Sequence, residues 1–221
     1  MIPDIIIRSF EKSDREAVRR ICCDSADQGK PIEGFFDDRE CAADLLTGYY
    51  TDHEPSSTFV AVDQGKVIGY TQGCMNNRRY GLIMFWILIP KIILKAFLRG
   101  VFFRKEIWQI AFAMGQNWRR LFAWRKESFH SHEAHVHIGI DREYRGKHVG
   151  ERLIAAFLQY AQTRGAKEIT ASVHSGNAGA CRFFEHLGFQ VKQRYPMVMA
   201  RGNSFEFYSY QSLVYVKKIS S

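Results

Sequence analysis

The feature that most constrains this chain is a change of hydrophobic period between residues 134 and 188. From Ala134 to Ile140 apolar and polar residues alternate, so Val136, Ile138 and Ile140 share one face of a strand. From about Lys147 to Thr163 the period becomes helical, with Val149, Leu153, Ile154, Phe157 and Tyr160 on one side and Arg164-Gly165 as the stop. Ile169 to Val173 returns to strand. Ala178 to Leu187 is again helical, and Gly188 supplies the left-handed residue that closes it.

The flanks extend this alternation of elements. Ile5, Ile6 and Ile7 begin a strand. Ser13-Asp14-Arg15-Glu16 has the pattern of a capping box for a helix carrying Ala17, Val18, Ile21 and Cys22 on one face. A second helix is predicted from Asp37 or Asp38, bearing Cys41, Leu45 and Leu46. Thr58 to Val62 and Lys66 to Tyr70 read as strands joined by a Gln64-Gly65 turn. Phe189 to Met199 and Phe205 to Val216 read as two more, meeting through Arg201-Gly202-Asn203. The order β-α-α-β-β-insert-β-α-β-α-β-β predicts an α/β (α+β) fold, a mixed central sheet flanked by helices, in one domain over 1–221.

The cysteines are Cys22, Cys23, Cys41, Cys74 and Cys181, an odd number with no C-x-x-C pair. That argues against a disulfide framework and against a zinc site. The opening Met1-Ile2-Pro3-Asp4 lacks the basic and apolar regions of a signal peptide, so a reducing, cytoplasmic setting is expected.

The texture changes between about 76 and 130. Of 31 Lys and Arg and 23 Asp and Glu, eleven and two fall here, which leaves 20 and 21 elsewhere. The whole excess of +8 is therefore regional. Lys91, Lys95 and Arg99 recur every four residues, while Ile107, Ile110, Ala111, Met114, Trp118, Leu121 and Phe122 form an apolar helical stripe. Pro90 is expected to part the first helix from Leu82 to Ile89, leaving apolar runs short of the roughly 20 residues that cross a bilayer. No transmembrane span is expected. The insert reads as a helical lid, its stripe packed over the open side of the sheet and its basic residues in solvent. It could instead wall an acceptor pocket or lie on anionic lipid; nucleic acid is the weaker partner, and a homodimer is compatible.

Chemistry concentrates at Ile138-Gly139-Ile140-Asp141-Arg142-Glu143-Tyr144-Arg145-Gly146-Lys147-His148-Val149-Gly150. A strand, a tight loop and a helix N-terminus present unpaired amides and a positive dipole end, which together favour a phosphate. The loop resembles the Arg/Gln-x-x-Gly-x-Gly/Ala motif of the GNAT acetyltransferases. About thirty residues on, Asn177-Ala178-Gly179-Ala180-Cys181-Arg182-Phe183-Phe184-Glu185-His186-Leu187-Gly188-Phe189 resembles the second signature of that family. The resemblance spans the element order from residue 4 to 218, apart from a helical insertion between strands 3 and 4, and has a bacterial cast.

It implies the GNAT acyl-CoA N-acyltransferase fold and acetyl-CoA as cosubstrate. Carried over, the main chain from Ile138 through Gly139 to Ile140 would pair with the pantetheine arm. The loop of Arg145, Gly146, Lys147, His148, Val149, Gly150 and Glu151 would hold the pyrophosphate. Asn177 and Phe184 would adjoin the cofactor. Two positions depart from the pattern. His148 stands where a glycine is expected, and Phe184 where many members place a tyrosine that protonates the leaving thiolate. Cys181, Tyr195, Tyr208 and Tyr210 are alternative donors.

His130 and His132 read as loop residues, with no cysteine or carboxylate at ligand spacing and hence no metal site. His135 and His137 point to one strand face and are candidate bases for amine acylation. The pair resembles that of arylalkylamine acetyltransferases, to which a strand bulge would match it. The expected activity is direct acetyl transfer to a small-molecule or peptide amine in a ternary complex. The alternative is a CoA-binding module without turnover.

Overall fold

The structure, a computed structural model, describes residues 5–34, 36–116, 134–201 and 206–219. Seven strands form one sheet: β1 (Ile6–Ser9), β2 (Thr58–Asp63), β3 (Lys66–Cys74), β4 (Ala134–Ile140), β5 (Glu168–His174), β6 (Gln190–Arg201) and β7 (Glu206–Lys218). Their spatial order is β1-β2-β3-β4-β5-β7-β6. All neighbours are antiparallel except β4 and β5. The sheet is mixed, as the element order predicts.

Six helices flank it among the described residues: α1 (Arg15–Ser25), α2 (Arg39–Asp52), α3 (Asn77–Leu98), α4 (Lys105–Gln116), α5 (Val149–Thr163) and α6 (Ala178–His186). On one face, Val18, Ile21 and Cys22 of α1 meet Val60, Val67 and Tyr70, and Tyr49 and Tyr50 of α2 meet Cys74. On the other, Ile154 and Phe157 of α5 and Phe184 of α6 close over Val136, Ile169, Ala171 and Tyr215. Val149, Leu153, Ile154 and Phe157 are fully buried, so the helical period read from sequence is the buried face.

Local signals were met with two exceptions. Gln64 and Gly65 take positive φ in the β2–β3 turn, Gly188 is left-handed after α6, and Asp38 caps α2 by accepting from the Cys41 amide at 2.9 Å. The Ser13 capping box is corrected. Asp14, buried and bound by Arg8, instead accepts from the Glu11 amide at 2.8 Å within a short 3-10 turn that leads into α1.

The second correction is larger. Pro90 does not divide the insert: α3 runs 22 residues without interruption. A π turn at Met84–Leu88 precedes the proline. That wider turn gives room at the carbonyl four residues back, the group a proline ring would otherwise strike. By length and composition alone the helix is long enough to cross a membrane. Its packing departs from the expected lid at two basic residues, which are not left in solvent. Lys95 pairs inward with Asp44 at 2.7 Å and Glu40 at 3.1 Å, and Arg99 with Asp38 at 2.8 Å, all against α2. Leu88, Ile92 and Ala96 pack inward, while Leu82, Trp86, Ile89, Ile93 and Phe97 face outward. Trp118, Leu121 and Phe122 of the expected second stripe, and the 201–203 turn in most part, lie outside the described residues, as do His130 and His132.

Candidate active site

Parallel strands β4 and β5 pair only at Ala134↔Ile169 and His135↔Thr170, then part. On its other edge β4 stays paired with β3 from Cys74↔His135 to Gly69↔Ile140 without a register shift. The main chain of Val136 to Ile140 therefore borders a wedge-shaped opening in the sheet. An extended ligand could supply the missing strand there.

The loop leaving β4 is fixed before any ligand arrives. Arg20 of α1 grips both carboxylate oxygens of Asp141 at 3.0 and 3.1 Å. The Tyr144 hydroxyl donates to Asp63 at 2.7 Å. Arg145 donates to the carbonyls of Ile140 at 3.2 Å and Gly29 at 2.8 Å. Arg145 thus ties the loop to the end of β4 and to the segment after α1. Lys147 lies over the Tyr144 ring, 4.9 Å from its centroid.

Gly146 has φ 75° and would meet nothing within 4 Å if it bore a Cβ, so the space above it is open. His148, at the N-cap of α5, has φ 58°, a left-handed conformation that costs a side chain about 1 kcal/mol. Its Nδ1 lies 2.9 Å from Glu151 Oε1. A Cβ on Gly150 would come within 2.9 Å of Phe183 and 3.0 Å of Ile140, so glycine here lets α5 start hard against β4. The first-turn amides of α5 have no intrahelical acceptor and carry the positive end of its dipole. A diphosphate suits this donor set.

The second signature divides. The Asn177 side chain caps α6, accepting from the Ala180 amide at 3.0 Å. Phe184 is only 5% exposed and packs in the core against Phe189 and Tyr215. Its ring fills volume under the sheet instead of facing the wedge. Of the alternative donors, Tyr210 stacks on His174 at 4.0 Å, the Tyr195 hydroxyl donates to Gln193 at 2.5 Å, and Cys181 is half-buried. The Tyr208 side chain lies outside the described residues.

His135 and His137 both face the α2 side, opposite α5, and no bulge alters this. The Tyr50 hydroxyl donates to His135 Nε2 at 2.7 Å, and Asn77 Oδ1 lies 2.7 Å from Nδ1, which places the ring proton on Nδ1. Burial, with His137 beside it, pushes the His135 imidazole down to about 3. Packing against its neighbours also lowers His137, although the residue is exposed on the strand. Both rings are neutral near pH 7. His137 stands edge-on to Tyr50 at 5.6 Å. Opposite it on β3, Gln72 is 1% exposed and donates to the Leu46 carbonyl at 2.9 Å, while its buried Oε1 has no partner among the described residues.

Tyr50, Gln72, Asn77 and Tyr80 had no signal in the sequence. Each comes from an element that pattern reading treats as core or insert, and only packing brings them to β4. Among the described residues no group of His, Cys, Asp and Glu could hold a metal ion.

The model of the acetyltransferase (GNAT) family matches residues 101–189, from the insert through the loop to the end of α6. N-alpha-acetyltransferase 30 of Schizosaccharomyces pombe is 32% identical over 74 residues, 33% of this chain and 49% of that protein. The chain spans about half or less of the length of the curated relatives it matches. Among solved structures, SsHAT superposes with a TM-score of 0.70 at 21% identity, covering 99% of this chain and 100% of that one. The Salmonella typhimurium protein yncA, solved with its cofactor acetyl-CoA, superposes at 0.56 with 15% identity over 98% and 94%. Both are likenesses of fold.

Proposed function

We propose that this chain is a GNAT acetyltransferase, on the match of that family's model to residues 101–189, and that it moves an acetyl group from acetyl-CoA to an amine by direct attack in a ternary complex. The observation that carries this reading is the parting of β4 from β5 beside the anchored loop at the mouth of α5.

Bound acetyl-CoA supplies a thioester carbonyl and a thiolate leaving group. The protein's own part is to orient, polarise and move protons. Main-chain groups of Ile138, Gly139 and Ile140 align the pantetheine arm, and an amide on that strand polarises the carbonyl. Amides of Gly146, His148, Val149, Gly150 and Glu151 hold the diphosphate. His137 takes the proton lost by the amine as the C–N bond forms and the C–S bond breaks. His135, held by Tyr50 and Asn77, keeps the neighbouring ring in place. The thiolate takes its proton from solvent or from a hydroxyl or thiol near the wedge. The acceptor, a small molecule or a peptide N-terminus, enters on the α2 side, where His137 is exposed. Five free thiols favour a cytoplasmic setting.

A second reading, a CoA-binding module without turnover, is motivated by Phe184, a core residue that donates no proton. Calorimetric titration with acetyl-CoA, then thiol release with a panel of small amines and peptides, separates the two. Saturable heat with amine-dependent release is expected. Heat without release supports the silent module. No heat overturns both.

A further inference from the structure

We propose that the outer face of α3 and α4 is a docking surface for an anionic lipid bilayer, on which the protein lies without spanning it. Leu82, Trp86, Ile89, Ile93 and Phe97 recur three and four residues apart along α3 and are all exposed. Trp86 is 70% exposed, Leu98 75%, Phe103 85% and Trp108 65%. A monomer in water rarely leaves so continuous an apolar face uncovered. Two of the exposed rings are tryptophans, which favour the headgroup–acyl boundary.

Charge selects the occupant. From Cys74 to Lys105 the chain holds no Asp or Glu, and Arg78, Arg79, Lys91 and Lys105 are exposed along the apolar rows. Cations beside an apolar face match an anionic membrane surface. A second copy would set these cations against their own kind across a two-fold axis. Nucleic acid would meet the cations but leave the apolar rows without partners.

Geometry decides between lying on and spanning. Asn76, which caps α3 by accepting from the Arg79 amide, stands two residues after the end of β3. The other end is tied to α2 by Lys95 and Arg99, and between them Leu88 and Ile92 pack on Tyr49 and Tyr50. A helix of about 33 Å secured to the same domain along its length cannot cross the acyl layer; it offers one side to it. The same helix walls the histidine site, since Asn77 bonds His135 and the Tyr80 ring lies 5.0 Å from it. Docking would bring that site to the membrane surface. The inference does not depend on acetyl transfer.

The test uses the full chain with extruded vesicles of phosphatidylcholine alone, or with about a third phosphatidylglycerol. Sedimentation is expected to show partition about tenfold stronger on the anionic vesicles, weakening between about 0.05 and 0.5 M salt. The double variant Leu94→Glu, Phe97→Glu, both exposed in the native fold, is expected to lose about tenfold in partition with an unchanged melting temperature. Brominated lipid should quench wild-type tryptophan fluorescence, and less so in Trp86→Phe, a measurement that stands if the double variant does not fold. Absence of vesicle binding at low salt, binding indifferent to these substitutions, or a wild-type dimer that the double variant dissociates without any vesicle binding, would each overturn the proposal.

Discussion

His135 and His137 stand two residues apart on one face of β4 and differ in what holds them. His135 has both ring nitrogens engaged, by Tyr50 and Asn77, whereas the His137 ring remains open to solvent. In the proposed reaction the proton transfer therefore falls to His137. His137→Ala should lower kcat about a hundredfold or more while the acetyl-CoA dissociation constant from calorimetry stays within about twofold; equal losses in both would deny it a base role. His135 makes a different prediction. An unfolded chain protonates histidine near pH 6.5, but burial keeps His135 neutral down to about 3. Between those values the unfolded state binds the extra proton, so this contribution to stability is intact above about pH 6.5 and falls as the pH drops. By pH 5 the loss is about 2 kcal/mol. Urea unfolding of wild type and His135→Gln at about pH 7.5 and pH 5 should show their stability difference shift by that amount; parallel losses would refute it. The sequence pattern identified these two histidines and their common face. It was silent on Tyr50 and Asn77, which lie 85 and 58 residues from His135 in the chain.

At the level of elements, the fit of α3 to α2 rests on a charged cluster. Arg19 of α1, with a side chain 5% exposed, bonds Asp44 and Glu40 of α2, and Lys95 of α3 shares both carboxylates. Burial raises the Asp44 carboxyl, but hydrogen bonds from Lys95 and Arg19 outweigh it and hold the group below the usual carboxylate range. Removing that carboxylate leaves the buried Arg19 guanidinium with Glu40 as its remaining partner on α2 and takes a partner from Lys95. Asp44→Ala should cost about 3 kcal/mol in chemical denaturation, far more than the fraction of a kcal/mol typical of an exposed pair. The bounds of β4 were legible because alternation is a local property of seven residues. The side of α3 that faces inward was not. Its lysine and arginine spacing resembles a solvated face, and only the carboxylates on α2 turn two of those cations toward the protein.

Across the whole molecule, the wedge between β4 and β5 is a gap in an otherwise continuous sheet of seven strands. A ligand that binds only the folded state fills it and shifts the unfolding equilibrium. At a hundredfold excess over its dissociation constant, acetyl-CoA should add about 2.7 kcal/mol and raise the melting temperature by roughly 5–10 °C. Differential scanning fluorimetry measures this; an unchanged midpoint would mean that the wedge and the α5 amides do not take the cofactor.

The amino-acid order alone determined the succession of strands and helices, the glycine-lined loop before α5 and the regional character of the positive charge. All of these follow from periodicities and turn preferences that act within a few residues. Tertiary structure alone decided that β4 and β5 separate after two pairs, that Phe184 is core, that Pro90 is carried within a helix, and that Lys95 and Arg99 turn toward α2 while Trp86 and Trp108 face outward. Those outcomes depend on partners distant in the chain, whose contact energies no local pattern encodes.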